Sequence, residues 1–340
     1  MWRMRLTWGI VGAILTALFA TCPAFGEETA PQNVRHLATI KLPGKGYVDY
    51  LIVNPGGQVY AGYASQNSLV VIDTEKRKVT RTIGNLKDVR SVALVPELNL
   101  GFTSNRGDNN IGVIDLKSLR LIRKIHNGTG PDAIIYNTAD RLVYVANHEG
   151  RSATFIDPSA ETIKAVVPLG GLAEYAQADP ATGLVYQNLQ DRNEIAVIDP
   201  KKMAVVARFK TAPGTEPTGL ALDAANHRLF CACGNDKLVV INAENGEAVA
   251  ALPIGSGVDS VAYDPRLRRI YTANGDTGTM TVIRQDSADH YEVMENVPTH
   301  KEAHALAVDL STHRIYVVHG NTIEAYEAIT EPSATQKEAR

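Results

Sequence analysis

Seven aromatic residues recur along the chain at nearly constant intervals: Tyr60, Phe102, Tyr144, Tyr186, Phe230, Tyr271 and Tyr316. The intervals are 42, 42, 42, 44, 41 and 45 residues. Each aromatic lies in a short apolar run followed by a polar turn and a second apolar run, as in VYAGYASQNSLVVID and VYVANHEGRSATFID. A period in the low forties with several short strands per unit implies radially repeated sheets, one repeat per blade. The expected architecture is all-β: a seven-bladed β-propeller with four antiparallel strands in each blade.

Alternation and turn chemistry place the strands within a unit. In the second blade the inner strand is expected over 91–95, the next over 100–104, the third over 111–115 and the fourth over 119–125. The seventh unit stops after its third strand, IEAYEAI. An orphan strand at 34–42, VRHLATIKL, precedes the first unit and resembles fourth strands such as KVTRTIG. It is expected to complete the last blade and close the ring, hiding edges that would otherwise template aggregation. One propeller over 34–330 thus absorbs nearly all of the chain, leaving a linker at 27–33 and a polar, disordered tail at 331–340.

Residues 1–26 read as a secretory signal peptide. Arg3 and Arg5 precede an apolar run over 8–20, and Ala24-Phe25-Gly26 places small residues where a signal peptidase cuts, before Glu27. The run is short for a membrane span, so a periplasmic or secreted protein with no span after processing is expected. The full chain has 34 basic and 37 acidic residues. Removing Arg3 and Arg5 leaves 32 against 37, a formal net charge of −5. That balance lacks the basic footprint of a nucleic-acid binder. The basic run at 75–78 with Arg81 has no neighbouring aromatic platform and reads as a solvated turn.

The recurring aromatics are expected to pack between neighbouring blades. Asp73, Asp115, Asp157, Asp199 and Asn242, which end third strands, are expected to cap turns. Cys231 and Cys233, at i and i+2 on one strand, are poorly placed for a disulfide and read as buried packing residues in preference to a copper(I) site.

These units resemble the YVTN-repeat β-propeller family, on Tyr-Val-Ala-Asn at 144–147, Tyr-Thr-Ala-Asn at 271–274 and the paired xVxVID endings. The resemblance spans roughly 34–330. It implies an exported propeller and carries no catalytic residues with it.

A site is sought where the repeat departs from its own average. The loop opening the inner strand and the turn joining the second and third strands share one face, around the channel mouth. The residues opening the inner strand are Asp49, Arg90, Asp132, Glu174, Thr218, Asp259 and His304. Their convergence near the axis suggests a ligand site made by Asp49, Arg90, Asp132, Glu174, Asp259 and His304. A second ring ends the second strand: Tyr63, Asn105, Asn147, Leu189, Cys233, Asn274 and His319, with Arg106 and His148 just beyond. Across the ring seam, His304, His319, Asp259 and Asp49 offer imidazoles and carboxylates for a divalent metal such as zinc.

The expected function is therefore ligand binding or protein interaction through the channel mouth, by a monomer. A metal-dependent hydrolase of lactonase type and an accessory subunit of a periplasmic oxidoreductase system are the alternatives. No Cys-x-x-Cys-His motif, Gly-rich phosphate loop or Gly-x-Ser-x-Gly elbow is present.

Overall fold

A computed structural model describes residues 33–54 and 56–329. The expected signal peptide, residues 27–32 of the linker and the polar tail lie outside the described residues. Seven four-stranded antiparallel sheets stand in a ring. We number the blades in chain order and letter their strands a to d from the axis outward. Blade one runs from Leu51–Val53 to Lys78–Ile83, two from Val89–Val95 to Arg120–His126, and three from Pro131–Asn137 to Thr162–Pro168. Blade four runs from Ala173–Ala178 to Ala204–Lys210, five from Pro217–Asp223 to Ala248–Pro253, and six from Val258–Asp264 to His290–Pro298. Blade seven takes strands a to c from Ala305–Asp309, Arg314–His319 and Thr322–Ala328, and strand d from Val34–Lys41.

Closure has the expected form. Val34–Lys41 pairs antiparallel with Thr322–Ala328, from Val34 opposite Ala328 to Lys41 opposite Thr322. The inner strand of each blade touches that of the next, and blade seven touches blade one. Among the described residues no helix is long and apolar enough to cross a membrane.

Strands b and c are apolar almost throughout because both of their faces are covered by neighbouring blades. Leu142–Asn147, for example, is buried at every position. Strand d alternates, because one face meets solvent: Lys78–Ile83 buries only Ile83 fully. The seven repeated aromatics are all buried and pack on the following blade. Tyr60 meets Val89, Val92 and Ile114 of blade two, and Tyr316 meets Leu51 and Val70 of blade one. Burying such a side chain stabilises by roughly 1.5–3 kcal/mol. The c–d turns are capped as expected: Asp115 Oδ1 accepts from Ser118 N at 2.6 Å, and Asp157 Oδ1 from Ser159 N at 2.9 Å.

The mouth face is built from two sets of turns that bond each other. His148 N donates to Gly130 O at 2.8 Å, Gln190 N to Leu172 O at 2.9 Å, and Gly275 N to Gly257 O at 2.8 Å. In blades three, four and six the b–c turn is thereby fixed against the loop entering its own blade, whereas in blade seven Gly320 O accepts from Val48 N of the segment leading into blade one.

Candidate functional site

A backbone irregularity aims side chains at the axis. In blades two to six the a–b ladder slips at the start of strand a, between Val89 and Val92, Pro131 and Ile134, Ala173 and Ala176, Pro217 and Leu220, and Val258 and Ser260. These bulges contain Arg90, Asp132, Glu174, Thr218 and Asp259. A bulge leaves the extra residue unpaired and re-aims its side chain. Here it re-aims the second residue of these strands, and Arg90, Asp132, Glu174 and Asp259 reach the mouth.

Blade one reaches the same end through a glycine. A Cβ on Gly62 would lie 1.9 Å from the Arg90 carbonyl oxygen, so only glycine admits this approach of blade two. Asp49 N donates to Gly62 O at 2.9 Å and Tyr50 N to Arg90 O at 3.3 Å. This stitching sets the Arg90 guanidinium 3.3 Å from Asp49 Oδ2.

The result is a cavity of about 240 Å³ at the channel mouth. Four carboxylates line it: Asp49, Asp132, Glu174 and Asp259. Arg90, Arg106 and His148 supply the opposing charge. Tyr50 of blade one and Tyr175 of blade four meet across the channel, with ring centroids 4.6 Å apart, and add an aromatic wall. Tyr175 is fixed by its hydroxyl, which donates to Ser260 Oγ at 3.2 Å.

The acids outnumber their partners. Arg90 also pairs with Asp88, at 3.0 Å, and Arg106 pairs with Glu149 outside the cavity. His148 Nδ1 lies 3.2 Å from Glu174 Oε1. Among the described residues buried Asp132 Oδ1 has no hydrogen-bond partner, and buried Asp49 Oδ2 has only its ion pair with Arg90. Burial, and then the Asp49 and Glu174 carboxylates, push the Asp132 pKa well above the usual carboxylate range. Burial, then Glu174, raises Asp259 to about 7, with His304 opposing. The bond from Glu174 raises His148. Burial opposes the charge of Arg90, but Asp49, Asp132 and Asp88 together raise its pKa. The cavity is thus short of positive charge.

Five of the six residues expected to form a ligand site line this cavity: Asp49, Arg90, Asp132, Glu174 and Asp259. His304 does not. It lines a neighbouring cavity of about 540 Å³, which shares Tyr47 and Asp259 with the first and is rimmed by Gly46, Gly257, Gly275 and Gly320. Thr218 turns its hydroxyl to Val258 O, at 3.1 Å.

The expected metal set of His304, His319, Asp259 and Asp49 does not assemble. Each nitrogen of His304 meets a backbone carbonyl, Nδ1 at 2.7 Å from Glu302 O and Nε2 at 2.6 Å from Val48 O. Both ring nitrogens are thus taken up by backbone carbonyls. The ring also stacks on Tyr47, with centroids 4.6 Å apart. His319 faces another way, onto Glu324 Oε1 at 3.4 Å. Two groups of three ligand-type side chains bring their donor atoms within 4.8 Å of one another among the described residues: Asp132, His148 and Glu174, and His300, His319 and Glu324.

The second ring lies mostly in the core. Asn105, Asn147, Asn274, Leu189 and Cys233 are fully buried, and Tyr63 nearly so. Asn147 Nδ2 donates to Thr154 Oγ1 at 3.0 Å, and Asn274 Nδ2 to Thr281 Oγ1 at 2.9 Å. Cys231 and Cys233 are unoxidised and buried, their Sγ atoms 3.8 Å apart. Burial and the neighbouring thiol push Cys231 up, which suits a packing role.

Tyr50 and Tyr175 escaped the sequence reading, though a signal was there. At the position that follows the mouth residue the other blades carry Ser91, Ala133, Gly219, Ser260 and Ala305, all small. Two tyrosines among them mark a filled channel.

No family model matches the chain. No curated protein matches it. Among solved structures, the chain is similar to Kuenenia stuttgartiensis Hydrazine Synthase, with a TM-score of 0.75 at 15% identity over 85% of this chain and 97% of that one. At that identity the likeness is one of fold.

Proposed function

We propose that this chain is an exported binding protein of the YVTN-repeat kind whose channel mouth takes up a small organic cation. The observation that carries the reading is the convergence of four carboxylates on one cavity, with the buried Oδ1 of Asp132 left without a partner among the described residues. A buried, unpaired carboxylate oxygen is costly, and a ligand N–H donor relieves that cost. The tyrosine pair adds the aromatic surface that ammonium ions favour. A volume of about 240 Å³ suits a ligand of a few heavy atoms, and the adjoining cavity of about 540 Å³ admits a larger substituent past Asp259.

Isothermal titration with ethylamine, choline and putrescine tests the reading. Binding of at least one, weakened tenfold or more in Glu174→Gln and in Asp132→Asn, is expected. No heat with any of the three, together with no shift in melting temperature, would refute it.

A second reading rests on Asp132, His148 and Glu174, whose donor atoms lie within 4.8 Å of one another. They suit a divalent metal, which would serve the lactonase-type alternative by activating water. Metal analysis of wild type and His148→Ala distinguishes the two, since an ammonium site brings no stoichiometric metal.

A further inference from the structure

Away from the mouth cavity, blade seven buries a carboxylate where no other blade has one. Glu324 lies on strand c and is 5% exposed. The register of strands b and c gives its counterparts as Val70, Gly112, Thr154, Ala196, Val239 and Thr281. Neither packing nor the repeat asks for an acid there.

Its partners are also unusual. None of the ion pairs to Glu324 comes from Lys or Arg; all come from His36, His300 and His319. The two carboxylate oxygens divide the work. Oε2 accepts from Thr39 Oγ1 at 2.7 Å and lies 2.7 Å from His36 Nε2, both on the ring-closing strand. Oε1 faces the other two imidazoles, 3.4 Å from His319 Nε2 and 3.7 Å from His300 Nε2. The rings of His300 and His319 stack with centroids 4.0 Å apart.

Those two separations are informative. Good N–H···O bonds are about 2.7–3.2 Å long, so 3.4 and 3.7 Å are long for hydrogen bonds. Donor atoms that share one zinc, each about 2.0–2.2 Å from it, stand roughly 3.0–3.6 Å apart. Each Nε2 stands near that spacing from Oε1, and the donor atoms of all three residues lie within 4.8 Å of one another. Thr39 and His36 hold the far oxygen, as outer partners of a metal-bound carboxylate do.

We propose that His300, His319 and Glu324 form a binding site for a divalent transition metal such as zinc, with His36 and Thr39 orienting the carboxylate. Two imidazoles and one carboxylate are a donor set suited to zinc and its first-row neighbours. Three protein ligands leave a coordination position for water, and the His300 side chain, 60% exposed, leaves the site open to solvent. Burial lowers the His319 pKa against the opposing pull of Glu324, which favours the neutral ring a metal needs. The site gathers strands b, c and d of blade seven and the loop arriving from blade six. A bound ion would therefore clamp the seam at which the two ends of the chain meet.

The test uses the full mature chain, stripped with chelator and titrated with Co²⁺ and then Zn²⁺ alone. One equivalent of Co²⁺ giving a visible d–d band, displaced by Zn²⁺, is expected. The dissociation constant should rise at least tenfold in His319→Ala and in Glu324→Gln, and stay within twofold in His148→Ala, which removes the ligand group at the mouth. Each variant is first checked for cooperative unfolding. If either fails, His300→Ala, an exposed position, carries the measurement. A protein that takes up no Co²⁺, retains full affinity in the His300→Ala/His319→Ala double variant, or loses it only in His148→Ala would overturn the proposal.

Discussion

In blade three, Asn147 at the end of strand b donates to Thr154 on strand c and accepts from Asn127, in the loop arriving from blade two, at 2.6 Å. In blade seven His319 and Glu324 hold the places of Asn147 and Thr154, and the loop arriving from blade six brings His300, one residue beyond the place of Asn127. Both arrangements tie the end of strand b to its neighbours beneath the mouth loops. The first is neutral and fully buried at Asn147 and Thr154. The second is ionic and half open to solvent. The repeat therefore fixes a place for a polar tie, and leaves its chemistry free.

Four expectations break or sharpen this contrast. The largest concerns the strand that only blade seven borrows. Deleting Val34–Lys41 strips Glu324 of Thr39 and His36 and exposes the edge of strand c. Loss of the single cooperative transition in a calorimetric scan is expected, with aggregation, whereas a truncated protein that melts like the full chain would mean the seam is dispensable.

Next is Thr154→Glu, which places the acid of blade seven in blade three without its imidazoles. An uncompensated buried carboxylate should cost about 3–5 kcal/mol in denaturant unfolding. A cost below about 1 kcal/mol would show that the corner tolerates charge and that Glu324 is unexceptional.

The third uses pH to set the seam against the mouth in metal-free protein. Asp259 sits at about 7 in the folded state, above its ordinary 3.8, so the fold holds a proton that the unfolded chain has released. Stability should fall as pH rises from about 4 through 7, and Asp259→Asn should remove that fall, by a few kcal/mol at most. Glu324 has the opposite sign. Burial raises its pKa, but bonds from Thr39, His36 and His319 outweigh that and bring it below its ordinary 4.5. Its contribution is present above that value and lost as pH drops further, a loss absent from Glu324→Gln. Unfolding free energies that respond identically to pH in the two variants would contradict the assignment.

The smallest effect separates packing from polar ties. Tyr144 donates its hydroxyl to Gln187 Oε1 at 2.8 Å, across the boundary between blades three and four. The hydroxyls of Tyr316 and Tyr271 have no such bond. Tyr144→Phe should cost about 1 kcal/mol and Tyr316→Phe almost nothing in urea unfolding, although both rings are equally buried.

The blade number, the borrowed strand and the packing aromatics were legible because each repeats, or fails to repeat, at a fixed interval. The Asn of the Tyr-Val-Ala-Asn motif has the same kind of explanation: it is the neutral tie of blades three and six. The mouth carboxylates were legible for a similar reason, since equal positions in successive blades must converge on an axis. The expected metal set was not, because convergence says nothing of direction. His304 opens an inner strand, and its ring is claimed by carbonyls in loops that follow no repeat. His319 ends a strand whose side chain turns between strands b and c, away from the axis. Glu324 was hidden inside IEAYEAI, where alternation makes a polar residue look ordinary. Setting it beside Val70, Gly112 and Ala196 is what reveals it.

The borrowed strand has a consequence for how such a chain is made. Val34–Lys41 is made before any blade, yet its hydrogen-bonding partner, Thr322–Ala328, is made only after six blades have been. A nascent chain with six blades assembled still carries both a loose leading segment and a bare flank. Loss of Thr322–Ala328 and loss of Val34–Lys41 should thus yield the same defect, a circle that cannot be joined.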